Sequence, residues 1–250
     1  YTLHNIYMFP ESFNPSIYKK LNPDLEKLDN EQLFVHYNVH GMKEGRIANE
    51  ITDRNLFKKY INTSKLSCLE IGPFDDPVIK GKNVKYFDVL TQDELKVRAT
   101  KCKRNQPIEN IPHIDYVDPN GKLNIIKDKF DIVLSCHSIE HQLDFIQHLL
   151  DVDSLLNEDG KYVLIVPDKR YCFDHFIAES TIADILQQHH TKSEIHLLKS
   201  VIEHRALTCH NNVGDHWDGK HGEPKSLKNP EFIDHAINEY FKSVKTREYL

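Results

Sequence analysis

The sequence predicts an α/β fold in which helices flank a mainly parallel, twisted sheet. From Leu56 onward, short apolar runs alternate with helical patterns, and this alternation implies parallel strands joined by right-handed crossovers. Hydrophobic residues make up 39% of the chain and charged residues 28%, as in an ordinary globular domain. We therefore expect a small helical module at 1–50 and an α/β domain at 56–250 that ends in a helical region.

The amino-terminal module has two helical patterns separated by turn-forming residues. Asn precedes Pro at 14–15 and again at 22–23, which is a typical helix start. Asn30 is expected to cap a second helix that ends at Gly41 and buries one face, formed by Leu33, Phe34 and Tyr37. The alternative to a functional role for this module is a simple helical hairpin that packs onto the next domain.

Apolar runs in the α/β domain predict five strands, at residues 66–71, 84–88, 111–115, 130–135 and 161–166. A helix is predicted at 143–156, and Asn157–Gly160 is expected to turn into the last strand. Ligands of such sheets bind outside the carboxyl ends of the strands, where the strand order reverses.

The carboxyl-terminal region predicts helices rather than strands. Amphipathic patterns cover 181–190, 193–207 and 230–244, the last capped by Asn229, and 209–226 is expected to be a loop. No further strand is convincing between residues 193 and 250, so either the chain stops before such strands or helices take their place.

Composition limits the classes of partner and compartment. The net charge of -6 disfavours a nucleic-acid partner. The longest apolar stretch, 162–167, is far shorter than the roughly 20 residues of a transmembrane helix. Five cysteines, an odd number, favour a reducing compartment and a cytoplasmic location. Because the chain begins at Tyr1 without methionine, we expect it to be part of a longer polypeptide.

Polar and small residues close the predicted strands. The first strand ends in Glu70, Gly72 and Pro73, and Gly72 lets a ligand approach the backbone closely. Asp88 closes the second strand, where a carboxylate can accept hydrogen bonds from ribose hydroxyls, and Asp115 closes the predicted third strand. Taken singly, each feature is also explained as a turn or a helix cap.

Two longer motifs carry a family resemblance. They are FDIVLSCHSIEH at 130–141 and PDKRYCFDHF at 167–176. With the strand ends, they make residues 60–180 resemble the class I S-adenosylmethionine (SAM)-dependent methyltransferases, which have a Rossmann-like fold. The particular subgroup occurs beside glycosyltransferase modules, and residues 1–50 resemble a helical module found beside bacterial and viral glycosyltransferases.

The resemblance implies roles for residues at four strand ends. Glu70, Gly72 and Pro73 would line the methionine and ribose side of SAM, Asp88 would hold the ribose, and Asp115 the adenine edge. Three residues at the end of the fourth strand would lie beside the sulfonium: Ser135, Cys136 and His137. Pro73-Phe74 stands where many relatives have a second glycine, so the carboxylate contacts of SAM remain open.

A methyltransferase that acts on a hydroxyl benefits from a general base. His137 is the first candidate, and Asp168 and His175 are the next. Alternatives are an Arg170–Asp174 ion pair that only braces the loop, and a magnesium ion on Asp168, Asp174 and His175, which we do not favour. Zinc has a weaker case still, because the spacing of its candidate ligands matches no familiar motif: Cys209, His210, His216 and His221.

The expected function is O-methylation of a sugar hydroxyl on a glycan or sugar nucleotide, with SAM as donor and S-adenosylhomocysteine as product. A glycosyltransferase is a further expected partner. Two alternatives stay open: methylation of a small metabolite, and a non-catalytic SAM-binding scaffold for a glycosyltransferase.

Overall fold

The computed structural model describes residues 13–41, 43–44, 46, 48, 61–104, 106–225 and 231–242. The strands in these ranges are β1 (Cys68–Ile71), β2 (Val84–Asp88), β3 (Tyr116–Val117), β4 (Phe130–Cys136) and β5 (Leu156–Ile165). The α-helices are α1 (Pro15–Leu21), α2 (Asn30–His36), α3 (Gln92–Lys101), α4 (Phe145–Leu155), α5 (Ile182–Thr191), α6 (Leu198–Leu207), α7 (Val213–Trp217) and α8 (Glu231–Lys242).

The strands form one parallel sheet in the order β3-β2-β1-β4-β5. In its register Ile71 lies opposite Phe87, and Asp88 lies opposite Val117. The prediction of an α/β, Rossmann-like fold is confirmed. Because the strands are parallel, their carboxyl ends share one edge, and the strand order reverses between β1 and β4.

The chain divides into two compact units. The first comprises the described parts of Tyr1–Val117, Lys127–Leu134 and Leu155–Leu164, and the second comprises those of Asp118–Ile126, Ser135–Ser154 and Ile165–Leu250. The expected boundary between the helical module and the α/β domain, at 50–56, lies outside the described residues. That division stays a prediction.

The amino-terminal helices begin where side chains cap them. Asn14 accepts hydrogen bonds from the backbone N–H groups of Ser16 and Ile17, as expected. The second helix is capped by Asp29 in a capping box with Gln32, and not by Asn30, which is its first residue.

The inner face of this module also differs in part from the expected one. Leu33 is completely buried and packs against Tyr18 and Leu25, whereas Phe34 is 51% exposed. The hydroxyl of Tyr18 lies 3.0 Å from Nδ1 of His36, and a side chain at Gly41 would collide with that hydroxyl. Close packing around Tyr18 therefore explains why the chain has glycine at position 41.

Two elements of the sheet differ from the prediction. The third strand is Tyr116–Val117 and not 111–115, because Pro112 has no N–H for the strand ladder; Ile111 and Ile114 are buried from an irregular segment instead. The fifth strand begins at Leu156, so it includes the Asn157–Gly160 segment that was expected to be a turn.

The region after β5 is helical in its described part, and it contains no strand there. Helix α6 starts at Leu198 rather than at 193, and the expected loop 209–226 contains α7, which Asn212 caps through the N–H of Asp215. Arg205 on α6 forms a two-pronged ion pair with Glu239 on α8, with N–O distances of 2.8 and 3.1 Å. The expected ends of the last helix, Asn229 and Val244, lie outside the described residues.

Over the described ranges, no helix has both the length and the apolar character needed to cross a membrane.

Candidate functional site

The segment after β1 is held by the buried carboxylate of Glu70. Its two oxygens accept hydrogen bonds from the backbone N–H groups of Val78 and Ile79, at 2.8 and 3.0 Å. A carboxylate that accepts two backbone hydrogen bonds is fixed in place. Glu70 therefore shapes the loop that leaves β1, and its expected role near SAM would be exerted through that loop.

Glycine is required at the end of β1 for a conformational reason. Gly72 has a φ of 69°, in the left-handed region, and its N–H donates to the Phe87 carbonyl at 2.9 Å. Pro73 is buried, and Phe74 also has a positive φ, 44°. The left-handed backbone of Phe74, a residue with a β-carbon, is strained, and such strain is concentrated at binding sites.

A bidentate ion pair also holds the loop that follows β1. Asp75 is buried, and its carboxylate binds Nε and an Nη of Arg104 at 2.8 and 3.0 Å. The guanidinium carbon of Arg104 also lies 5.4 Å from the centre of the Phe74 ring. This pair is visible only in three dimensions, since 29 residues separate its members.

Asp88 ends β2 as a buried acid. Its side chain is only 7% exposed, and one carboxylate oxygen accepts the N–H of Leu90 at 3.1 Å. Burial raises the pKa of Asp88 to about 6, although backbone hydrogen bonds from Leu90 and Val89 and the charge of Arg98 act in the opposite direction. A buried acid with a raised pKa at a strand end is typical of a ligand site.

Asp115 does not lie where the sequence placed it. It precedes β3 instead of closing it, and its carboxylate accepts the N–H of Tyr86, in the middle of β2, at 2.9 Å. Since Asp88 is level with Val117, Asp115 lies two residues toward the amino end of the sheet. The expectation that Asp115 closes the third strand is therefore wrong, and its contact with adenine stays a prediction without that support.

The end of β4 carries the second group of expected site residues. Ser135 is buried, Cys136 is partly exposed, and both belong to the strand. His137 follows with a φ of 51°, and its N–H donates to the Ile165 carbonyl at 2.9 Å. Left-handed backbone is uncommon for a residue with a Cβ, so the exposed imidazole of His137 is presented at a sharp bend.

Asp168, an expected base, is already paired. It caps a short 3₁₀ turn and binds the guanidinium of Arg170, with its closest N–O distance at 2.6 Å. The Arg170 hydrogen bond lowers the pKa of Asp168 below its usual value. The alternative pairing of Arg170 with Asp174 is wrong, because Arg170 uses Asp168.

A carboxylate that the sequence did not single out as a base stands out here. Oδ1 of Asp174 is buried, and within the described part of the chain it has no hydrogen-bond partner. Burial raises the pKa of Glu140 from its usual value; the charge of His137 lowers it and that of Asp174 raises it. The charges of His137 and Asp174 therefore both act on Glu140 within the second unit.

His175 lies among other imidazole rings. Its ring stacks on that of His221, with centroids 3.7 Å apart and planes 8° from parallel. The ring of His216, which is buried, lies 5.2 Å from that of His221. Sequence spacing could not reveal this group, because α7 and the loop after β5 meet only through folding.

Exposed aromatic surface accompanies these groups. The rings of Tyr171 and Trp217 lie 4.6 Å apart, and Trp217 is 69% exposed. The guanidinium of Arg170 lies 5.4 Å from the centre of the Tyr171 ring. The ring planes are tilted by 30°, and exposed aromatic surface of this kind is suited to contact with the apolar face of a ring-shaped ligand.

Neither the models of known protein families nor the curated proteins gave a match to this sequence. The residues themselves must therefore carry the functional argument.

Proposed function

We propose that this chain is a SAM-dependent O-methyltransferase that acts on a sugar hydroxyl of a glycan or sugar nucleotide. The strand order and the sequence motifs that follow β1, β4 and β5 support the family assignment. In this proposal Gly72, Pro73 and Asp88 contribute to cofactor binding. Glu70 holds the loop after β1, which contains Gly72 and Pro73, in place.

The observation that carries the proposal is the buried carboxyl of Asp88. Backbone N–H groups of Leu90 and Val89 already donate to this buried carboxylate, and its remaining lone pairs can accept the two neighbouring hydroxyl groups of a ribose. The backbone around Gly72, where a side chain would require left-handed strain, supports a close approach of the ligand to the chain.

When bound, SAM would supply the methyl group for the acceptor oxygen, with S-adenosylhomocysteine as the product. The acceptor hydroxyl loses its proton in the same step, so a base assists. His137 is the leading base, and the unpaired oxygen of Asp174 is a second one. Asp168 is less suited, since its carboxylate is neutralised by Arg170.

The exposed Tyr171–Trp217 pair favours a sugar acceptor over a small apolar metabolite. Aromatic rings contact the C–H faces of sugars while the hydroxyls stay hydrogen-bonded to polar groups. The proposed glycosyltransferase partner would supply or extend the acceptor chain.

Calorimetric titration with SAM and with S-adenosylhomocysteine tests the cofactor site. We expect both to bind, and Asp88→Asn to weaken binding by about tenfold or more, equivalent to one lost charge-assisted hydrogen-bond pair. Asp93→Asn is the matched control, because Asp93 is 92% exposed on α3. A folded protein that binds neither ligand would overturn the proposal.

Transfer of a labelled methyl group to a panel of sugar nucleotides and oligosaccharides tests the acceptor. If the chain is an active methyltransferase, we expect the His137→Ala variant to bind SAM normally and to lose turnover. Transfer only to small non-sugar acceptors would show that the substrate is a metabolite and not a glycan. SAM binding without transfer to any acceptor would favour the non-catalytic scaffold.

A further inference from the structure

Three histidines of the second unit converge on one point. His175 lies in the loop after β5, His216 in α7 and His221 just beyond α7. One ring nitrogen from each lies within 4.8 Å of the others, and His216 is only 1% exposed. Converging imidazoles with a buried member are the side chains from which transition-metal sites are built.

Backbone carbonyls fix which nitrogen of two rings is available. Nε2 of His216 lies 3.0 Å from the His210 carbonyl, so it must carry hydrogen and donate, which leaves a lone pair on Nδ1. Nδ1 of His175 lies 3.2 Å from the Arg170 carbonyl and donates likewise, which leaves Nε2. Metal-binding histidines are oriented in this way, with the second nitrogen bound to a carbonyl.

The third ring completes the set. Nδ1 of His221 lies 2.9 Å from Nδ1 of His216. Because the His216 nitrogen holds a lone pair, a single proton on His221 links the two rings, and a metal ion would take the place of that proton. Nitrogens bound to one tetrahedral zinc lie about 3.3 Å apart, as Zn–N distances of about 2.0–2.1 Å require. The pair needs to open only slightly.

Two neighbouring side chains that could bind a metal ion, Cys209 and His210, already make hydrogen bonds to the backbone. Nε2 of His210 donates to the Lys220 carbonyl at 2.9 Å, and its Nδ1 accepts the Asn212 N–H at 3.2 Å. The thiol of Cys209 donates to the Phe173 carbonyl at 3.3 Å. The geometry thus replaces Cys209 and His210, two of the zinc ligands considered from the sequence, with His175.

We propose that His175, His216 and His221 form a binding site for a divalent transition-metal ion of the zinc class, with a fourth position open to water or another ligand. Three neutral imidazoles without a carboxylate suit zinc, cobalt, nickel or copper and not magnesium or calcium. Binding requires the His175 ring to tilt off His221, since two parallel stacked rings cannot both aim a lone pair at one ion. Metal binding can be measured without SAM, so its outcome is separate from the test of the methyltransferase proposal.

Titration of the untagged, metal-stripped protein with Zn²⁺ alone tests the site, and Co²⁺ absorption in the visible range reports the ligand geometry. We expect one ion per chain and a tetrahedral Co²⁺ spectrum. His221→Ala and His175→Ala should each weaken Zn²⁺ binding by about 100-fold, at least as much as the loss of supporting groups around a metal does. Excess Mg²⁺ should not compete.

His113→Ala is the matched control, because His113 is exposed and lies in the first unit. Circular dichroism of the metal-free variants separates a lost ligand from a lost fold, and His221, which is less buried than His216, is the variant expected to fold normally. Equal Zn²⁺ affinity in the wild type and a His175→Ala/His221→Ala double variant would overturn the proposal. So would an octahedral Co²⁺ spectrum that the double variant does not change.

Discussion

At the scale of single residues, Asp88 and His137 both sit in conformations or surroundings that cost stability. Asp88 is a buried carboxyl group with a raised pKa. His137 has a left-handed backbone although it carries a β-carbon. Proteins retain such costs where the residue has a ligand or a reaction to serve. Each cost can be removed by one substitution, which gives two tests.

Asp88→Asn is expected to stabilise the ligand-free protein at neutral and higher pH. The pKa of Asp88 is about 6 when folded, above its usual value, so the folded state holds the proton more tightly. Its contribution to stability is therefore full below about pH 4 and is lost as the pH rises through 6, by an amount of the order of 3 kcal/mol.

Denaturant unfolding of wild type and Asp88→Asn between pH 4 and pH 8 measures this effect. The advantage of the variant should grow with pH, while SAM binding falls. An advantage that does not change with pH would contradict the burial argument, and Asp93→Asn should show neither effect.

His137→Gly is expected to raise stability by about 1 kcal/mol and to abolish most methyl transfer. The left-handed backbone costs a residue with a β-carbon about 1–2 kcal/mol, and glycine removes that cost while losing the imidazole. Lys192→Gly is the matched control, since Lys192 has a φ of 50° as the cap of α5. The control should gain stability and keep its turnover; equal turnover in both variants would exclude His137 as the base.

At the scale of elements, the packing of β5 against β4 depends on the close approach of Gly160 to the backbone of Phe130. A Cβ on Gly160 would lie 2.9 Å from the Phe130 carbonyl oxygen and 3.0 Å from the backbone of Asn157. Asn157 in turn donates to Asp131 at 2.7 Å, and Asp131 accepts the N–H of Ser67 at 2.8 Å. The start of β5 is thereby tied to β4 and to the residue before β1.

Gly160→Ala should destabilise the protein by about 1–3 kcal/mol, because backbone atoms cannot move aside as a flexible side chain can. Thermal unfolding of the variant measures the loss. Gly214→Ala serves as the comparison, since a Cβ there approaches nothing closer than 3.4 Å. A Gly160 variant as stable as the Gly214 one would show that the strand start relaxes freely.

At the scale of the whole molecule, acid is expected to unfold the protein through buried neutral histidines. Burial lowers the pKa of His148 to about 4, and it also lowers the pKa of His204 to about 4, aided by the charge of Arg205. Each therefore favours the folded state fully above about pH 6.5, and that contribution is lost as the pH falls toward 4. For His148 the loss is of the order of 3 kcal/mol.

The slope of unfolding free energy against pH between 6.5 and 4 checks this expectation. His148→Gln should reduce the slope even if it lowers the stability itself, because glutamine takes up no proton. His113→Gln should leave the slope unchanged. A slope that His148→Gln does not alter would assign the acid sensitivity to other groups.

The sequence by itself determined the class of fold, four of the five strand positions, the helical carboxyl-terminal region and the strand-end residues Gly72, Asp88 and His137. These follow from local periodicity and from residues whose backbone or burial requirements are visible in a short window. Only the tertiary structure placed β3 after Asp115, because the pairing of Tyr116 and Val117 with β2 joins segments that are distant in the chain. Only the tertiary structure paired Asp75 with Arg104 and brought His175 to His216 and His221, since contacts between distant segments leave no periodic signal in the chain.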